Sequence, residues 1–291
     1  MTVSKTEPLD VQIDAARKLP TLRGIVIPPC PALLARLQDA LAGAEPDVAE
    51  IGEIAGADVA MAATVIRAAN GPLHGLTHPV VTVGQALTVL GVQPAIELLT
   101  DFIVRKALPV HSPALEHFWE SSQRRAMACE HIGQQLYSFD AGLGHSFGLF
   151  CHVGMPVLMK AVKGYSGTLT EALARKDRSF TQTENANHQT DHAVVGAIVA
   201  RTWRLSSDVA QAIWLHHDFA SLDEARFSPT VKNLVALGLV ADHLVARYEQ
   251  LPPAREWTQY GSKCQAHLQI GDDEIEAWID TLHDAFAAVQ L

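Results

Sequence analysis

The residues of this chain best equipped for chemistry are a histidine pair at 216 and 217, a histidine at 192 and an aspartate at 242. Neutral imidazole and carboxylate together satisfy a divalent ion, and helices that turn such groups inward can build a metal site in a bundle core. Two further candidates, Cys151 and His152, stand side by side in GLFCHVGMP, which otherwise reads as the middle of a buried helix. Thiolate and imidazole are both zinc ligands. Spacing alone does not separate a metal centre from a hydrogen-bonded polar cluster in a tight core. Neighbours on a helix point about 100° apart, so one of His216 and His217 is expected to face a shared centre and the other its rim.

Other chemistry finds less support. The remaining histidines, among them His131, His145, His188 and His267, are read as lying in loops or on polar faces, in contact with water. GLGHSFG, residues 142–148, lacks the spacing of a phosphate loop and reads as a closely packed helix start. No G-x-S-x-G elbow occurs. Trp119, Trp203 and Trp214 fall on apolar helix faces and are expected in the core. Cys30, Cys129, Cys151 and Cys264 form no Cys-x-x-Cys and are expected to be reduced, structural thiols.

Apolar residues recur at i, i+3, i+4 and i+7 almost throughout, which predicts an all-α protein. In the first third, punctuation divides short helices. Pro31 suits the first turn of PALLARLQDAL, and DVAEIGEIAG follows as a second helix. Asp58 caps DVAMAATVIRAAN, whose Val59, Ala62, Ala63, Ile66 and Ala69 form an apolar stripe that Asn70-Gly71-Pro72 stops. Thr82 and Gln85 make a capping box for VTVGQALTVLG, and PAIELLTDFIVRKAL follows.

A joint at ALPVHSPAL leads to longer helices, including ENANHQTDHAVVGAIVARTW and TVKNLVALGLVADHLVARYEQ. The polar stretch EQLPPAREWTQYGSKCQ is read as a connection to a last amphipathic helix, DDEIEAWIDTLHDAFAAV, packed back on the second lobe. The expected organisation is an extension over 1–14, a helical lobe over 15–108, a second lobe over 109–250, and a linker with its helix over 251–291.

The 291 residues carry a net charge of -10, which disfavours nucleic acid as a partner because phosphate binding needs clustered Lys and Arg. No apolar run approaches the roughly 20 residues of a membrane span. The start MTVSKTEPLDVQ has neither the basic nor the apolar region of a signal peptide, so a cytoplasmic protein without membrane partners is expected.

Several motifs in order resemble the HDOD family, the HD-related output domains of bacterial signalling proteins. They are Leu19-Pro20, IAGADVAMAATVIRAANGPLHG, VTVGQALTVLG, FWESSQRRAMACEHI, GLFCHVGMPVL, DHAVVGAIVARTWRL and AIWLHHDF. The likeness covers about residues 15–250. It implies that Ser121 stands where the wider HD superfamily has its first histidine, and Cys151-His152 where it has its His-Asp doublet. His192, His216, His217 and Asp242 stand at matching positions. Serine is a poor neutral ligand, and without the doublet's carboxylate nothing bridges two ions that would activate a water. The resemblance therefore implies a degenerate HD site, no bound metal or cofactor, and a non-catalytic regulatory module acting through a signalling partner in trans or through a homo-oligomer. The stretch around Leu108 to Trp119 is expected to serve either as an apolar docking region or as a hinge. The alternatives are a zinc site from Cys151, His152, His192 and one of the paired histidines, or a divergent metal-dependent phosphohydrolase using His192, His216, His217 and Asp242.

Overall fold

The computed structural model describes residues 8–71, 74–175 and 177–289, and among them all regular structure is helical, with no strand. Two compact units are present, Pro29–Pro109 and a second made of the residues before Pro29 together with those from Val110 onward. The chain opens with α1 (Leu9–Arg17) and α2 (Pro20–Arg23).

The unit over Pro29–Pro109 holds α3 (Ala32–Leu41), α4 (Val48–Gly56), α5 (Val59–Ala69), α6 (Val83–Leu90) and α7 (Val92–Ala107). The starts expected at Asp58 and Thr82 are found, while Pro31 caps α3 rather than entering its first turn and α7 begins at Val92, ahead of the expected Pro94. Asp58 Oδ1 accepts from the Ala60 and Met61 amides, and Thr82 with Gln85 closes a reciprocal capping box. The apolar face of α5 differs from the expected stripe: Met61, Val65 and Ala69 are buried, whereas Val59 is 88% exposed. A row of methionine and valine at i and i+4 removes more apolar area from water than the alanine-rich row beside it. Asn70 ends α5 and clamps the following loop, its amide bonding both the N–H and the C=O of Val80 at 2.8 Å. Pro72, part of the expected stop, lies outside the described residues.

The other unit adds α8 (Phe118–Gln135), α9 (Ala141–Phe150), α10 (Gly154–Ala161), α11 (Tyr165–Ala174), α12 (Phe180–His188) and α13 (His192–Thr202). It continues through α14 (Ser207–Leu215), α15 (Pro229–Tyr248), α16 (Arg255–Leu268) and α17 (Asp272–Ala288). Phe147, Phe150, Trp203, Leu234 and Val240 lie in its core at 0% exposure, and Trp119 and Trp214 are buried as expected. The last helix does pack on α15, where Arg247 forks onto Glu276 at 2.8 and 3.1 Å.

Three expectations are corrected. The first lobe does not begin at residue 15: α1 and α2 group with the later helices because Arg17 bonds Thr202, Arg201 pairs with Asp14, and the Trp203 indole donates to the Pro28 carbonyl. The stretch read as a connection is mostly α16. Leu108, Leu115, Phe118 and Trp119 are all buried, so the large apolar side chains expected to form a docking surface at the joint are not exposed.

GLFCHVGMP is not the middle of a helix either. α9 stops at Phe150, residues 151–153 form a turn, and α10 starts at Gly154. A Cβ on Gly154 would fall 2.1 Å from the His192 carbonyl oxygen and 2.8 Å from the Gly196 amide. Only glycine allows this backbone approach, which sets the turn holding His152 against the start of α13.

Candidate functional site: a four-histidine cluster

Every histidine of the site stands at a helix end. His152 lies in the turn between α9 and α10, His192 is the first residue of α13, and His216 and His217 follow the last residue of α14. The helix preceding His192 is broken by Gln189 in the left-handed region at φ 56°, and Asp191 restarts it by accepting from the Val194 amide at 2.9 Å. The expected single helix over ENANHQTDH is thereby split in two.

Both paired histidines contribute to the cluster, which corrects the expectation that one of them would face its rim. His216 caps α14 with right-handed helical backbone angles, φ -63° and ψ -13°, and His217 follows it in a turn. Their ring centroids lie 4.0 Å apart. One ligand atom from each of His152, His192, His216 and His217 falls within 4.8 Å of every other. His192 Nε2 is 3.2 Å from His216 Nε2 and 3.1 Å from His217 Nε2. The Phe180 ring lies parallel to His217 and edge-on to His192, shielding that side.

Each of these three rings is oriented from behind. His216 Nδ1 donates to the Ile213 carbonyl at 2.6 Å, His192 Nδ1 to Glu184 at 2.7 Å, and His217 Nδ1 to both oxygens of Glu256 at 2.7 and 2.9 Å. Glu184, at 0% exposure, also accepts from the Tyr165 hydroxyl. A carboxylate behind a ligating imidazole fixes its tautomer and raises its basicity, the usual outer support of a metal-bound histidine.

The electrostatics follow from burial and these partners. Burial, then the Arg125 charge and the neighbouring imidazoles, lowers the His152 pKa well below the ordinary value, and burial with the His217 and His192 charges does the same to His216. Burial also works against charge on His217, but the charge and hydrogen bond of Glu256 outweigh it and raise its pKa. Burial alone would raise Glu184, yet His192 and the Tyr165 bond bring it below the usual carboxylate value.

The other expected site residues are placed elsewhere. Ser121 Oγ donates to Glu249, which also takes Arg124. Asp242 is paired with the buried Arg125 guanidinium at 2.5 Å, and its second oxygen is 3.9 Å from His152 Nε2. Cys151 is buried outside the group of converging ligand atoms, and burial pushes its thiol pKa well above the ordinary value despite Arg125. His145, expected in water, is buried against Glu130.

The donor set fits a nitrogen-preferring divalent ion, with His152, His192, His216 and His217 as the side chains to hold it. His152 Nε2 is buried without a hydrogen-bond partner, as a ligand nitrogen facing a cation site would be. Glu184 and Glu256 escaped the sequence reading. Glu184 is separated from His192 by a helix break, and Glu256 sits in the segment taken for a linker.

Comparison with known proteins agrees with this architecture. The sequence profile of the HDOD domain matches residues 27–219, more than half of the chain. An HDOD domain protein of unknown function from Geobacter sulfurreducens superposes with a TM-score of 0.74 at 20% identity, covering 97% of this chain and 98% of that one. A Shewanella amazonensis SB2B protein assigned by name as a phosphohydrolase gives 0.72 at 18% identity, covering 92% and 96%. A Marinobacter aquaeolei VT8 protein assigned by name to signal transduction also gives 0.72, at 16% identity, covering 99% of this chain and 61% of that one. An uncharacterized Treponema pallidum protein is 21% identical over 232 residues, and the match spans 78% of this chain but only 44% of that relative. At these identities the structures speak for the fold, while the profile match fixes the family: this chain belongs to the HDOD domain family.

Proposed function

We propose that this chain is a non-catalytic signal-transduction module of the bacterial cytoplasm, acting through contact with a signalling protein supplied in trans. One observation carries the reading. The late aspartate, Asp242, is neutralised by Arg125, and no carboxylate is among the four side chains whose ligand atoms converge. Two-ion phosphoester hydrolysis uses oxygen ligands to clamp a pair of ions around an activated water. This cluster offers imidazole nitrogens in a packed setting where His192 is 0% and His216 6% exposed. The name of the Marinobacter aquaeolei relative points the same way.

The second reading is a divergent metal-dependent phosphohydrolase, favoured by the converging imidazoles and by the name of the Shewanella amazonensis relative. The two are separated by assaying the purified chain on bis(4-nitrophenyl) phosphate and on cyclic dinucleotides with Mg2+, Mn2+, Fe2+ and Zn2+. The signalling reading expects no turnover beyond that of His192→Ala. Turnover that the variant abolishes would overturn it. Cross-linked pull-downs across growth conditions are expected to recover one reproducible partner. A failure to do so, with unchanged signalling on gene deletion, would contradict the contact role.

A further inference from the structure

We propose that His152, His192, His216 and His217 bind a single divalent ion of the zinc class through nitrogen alone, with Glu184 and Glu256 balancing its charge from behind the rings. This goes beyond the signalling reading, which requires no metal.

The donor directions leave little freedom. A carbonyl oxygen only accepts, so the His216 Nδ1 that meets Ile213 carries the hydrogen. The carboxylates of Glu184 and Glu256 fix the same tautomer for His192 and His217. In the neutral rings all three Nε2 lone pairs therefore face one another, at 3.1 and 3.2 Å from the central His192. Lone pairs so close repel unless a proton or a metal cation lies among them, and a metal ion satisfies all of them at once where a proton bridges only one pair. A tetrahedral ion with Zn–N bonds of about 2.0–2.1 Å holds its nitrogens roughly 3.3 Å apart, close to the observed spacing. His152 brings a fourth ligand atom into the same group, and its Nε2 is buried without a partner.

Charge supports the same assignment. Glu184 is fully enclosed, and its ionic partner is His192 rather than lysine or arginine; Glu256 likewise pairs with His217. A buried carboxylate lacking a cation is costly. A divalent ion behind two imidazoles supplies two positive charges for these two negative ones. Magnesium and calcium take oxygen ligands, whereas imidazole suits the later first-row ions, so the donor set selects zinc, cobalt, nickel or copper. Four protein ligands close the coordination sphere in the manner of a structural site. The ion would join the 151–153 turn, the start of α13 and the end of α14, and through Glu256 it would engage α16.

The test uses the full chain stripped with chelator and titrated with Co2+, a spectroscopic stand-in for Zn2+. One equivalent is expected to bind with the intense visible absorption of a four-coordinate site, to be displaced by Zn2+, and to be unaffected by Mg2+. His192→Ala and His217→Ala are expected to abolish binding. Because those changes can also disturb folding, Glu184→Gln and Glu256→Gln are compared after circular dichroism confirms their helicity. Each is expected to weaken binding by roughly 10- to 100-fold. The proposal is overturned by no binding at one equivalent, by a pale six-coordinate spectrum, by two equivalents binding alike, or by unchanged affinity in both glutamine variants. Phosphodiester turnover by the Zn2+-loaded chain would overturn the non-catalytic reading and leave the ion in place. Absence of the ion would do the reverse.

Discussion

The Nε2 atoms of His192 and His217 stand 3.1 Å apart, and each ring has already committed its Nδ1 hydrogen to a carboxylate. These residues open α13 and follow α14, so the contact records how the fold sets two helix ends face to face. The same relationship makes metal affinity, acid sensitivity and backbone packing separate readouts of one site.

Metal affinity should fall on acidification through the range set by His217. A ring must be neutral to bind metal, and Glu256 raises the His217 pKa above its ordinary 6.5 against the opposing effect of burial. Apparent Zn2+ affinity therefore declines as pH drops through that raised value. Chelator competition between about pH 5 and 8 checks this. Glu256→Gln should move the decline to lower pH, and an unmoved midpoint would count against the assignment.

The metal-free chain should lose stability in acid. His152 and His216 are held neutral, with folded pKa values well below 6.5, chiefly by burial. Below pH 6.5 the unfolded chain takes up protons that the folded rings refuse, so stability falls as pH descends toward the folded values. His217 acts oppositely: its contribution is present below 6.5 and fades as pH rises through its raised pKa. Two rings outweigh one. Urea midpoints should fall from pH 7 to about pH 5, and His152→Gln should flatten the trend.

Gly154→Ala should destabilise the fold by about 3 kcal/mol or more and weaken Zn2+ binding, because its Cβ would meet the His192 carbonyl oxygen at 2.1 Å. Gly167 is the internal control. It is helical and exposed, with nothing within 4 Å of an added Cβ, so Gly167→Ala should stabilise by roughly 0.5–1 kcal/mol. Equal denaturation midpoints for the two variants would refute the packing argument.

The Arg125–Asp242 pair should behave as a structural element rather than a ligand. Asp242→Asn leaves a buried guanidinium without its counter-charge and should cost about 3 kcal/mol. Arg125→Met with Asp242→Met should recover most of that loss and retain Zn2+ binding. Loss of the ion in a folded double variant would place Asp242 among the ligands.

Much of this was legible in the sequence, and the failures share a cause. The all-α architecture and the caps at Asp58 and Thr82 follow from local spacing and residue type, whereas His192, His216 and His217 stand out by residue type together with the family resemblance. What spacing could not give was where helices stop. The sequence pattern runs through His152 and through ENANHQTDH without a break, although the left-handed Gln189 divides the latter; a residue other than glycine gives no warning of such a turn. Asp242 was grouped with the histidines because matching positions cannot reveal that Arg125 reaches it first. Glu256 was invisible because a proline-bearing polar stretch reads as linker, while its helix is fixed by packing on α15.

The most direct test of the account is the number of ions on the folded chain, read by native mass spectrometry after loading with Zn2+ and removal of excess. The account predicts one ion per chain, and none on His192→Ala. Two ions on the parent chain would revive a hydrolytic pair, and a metal-free parent would leave the four imidazoles as a polar cluster alone.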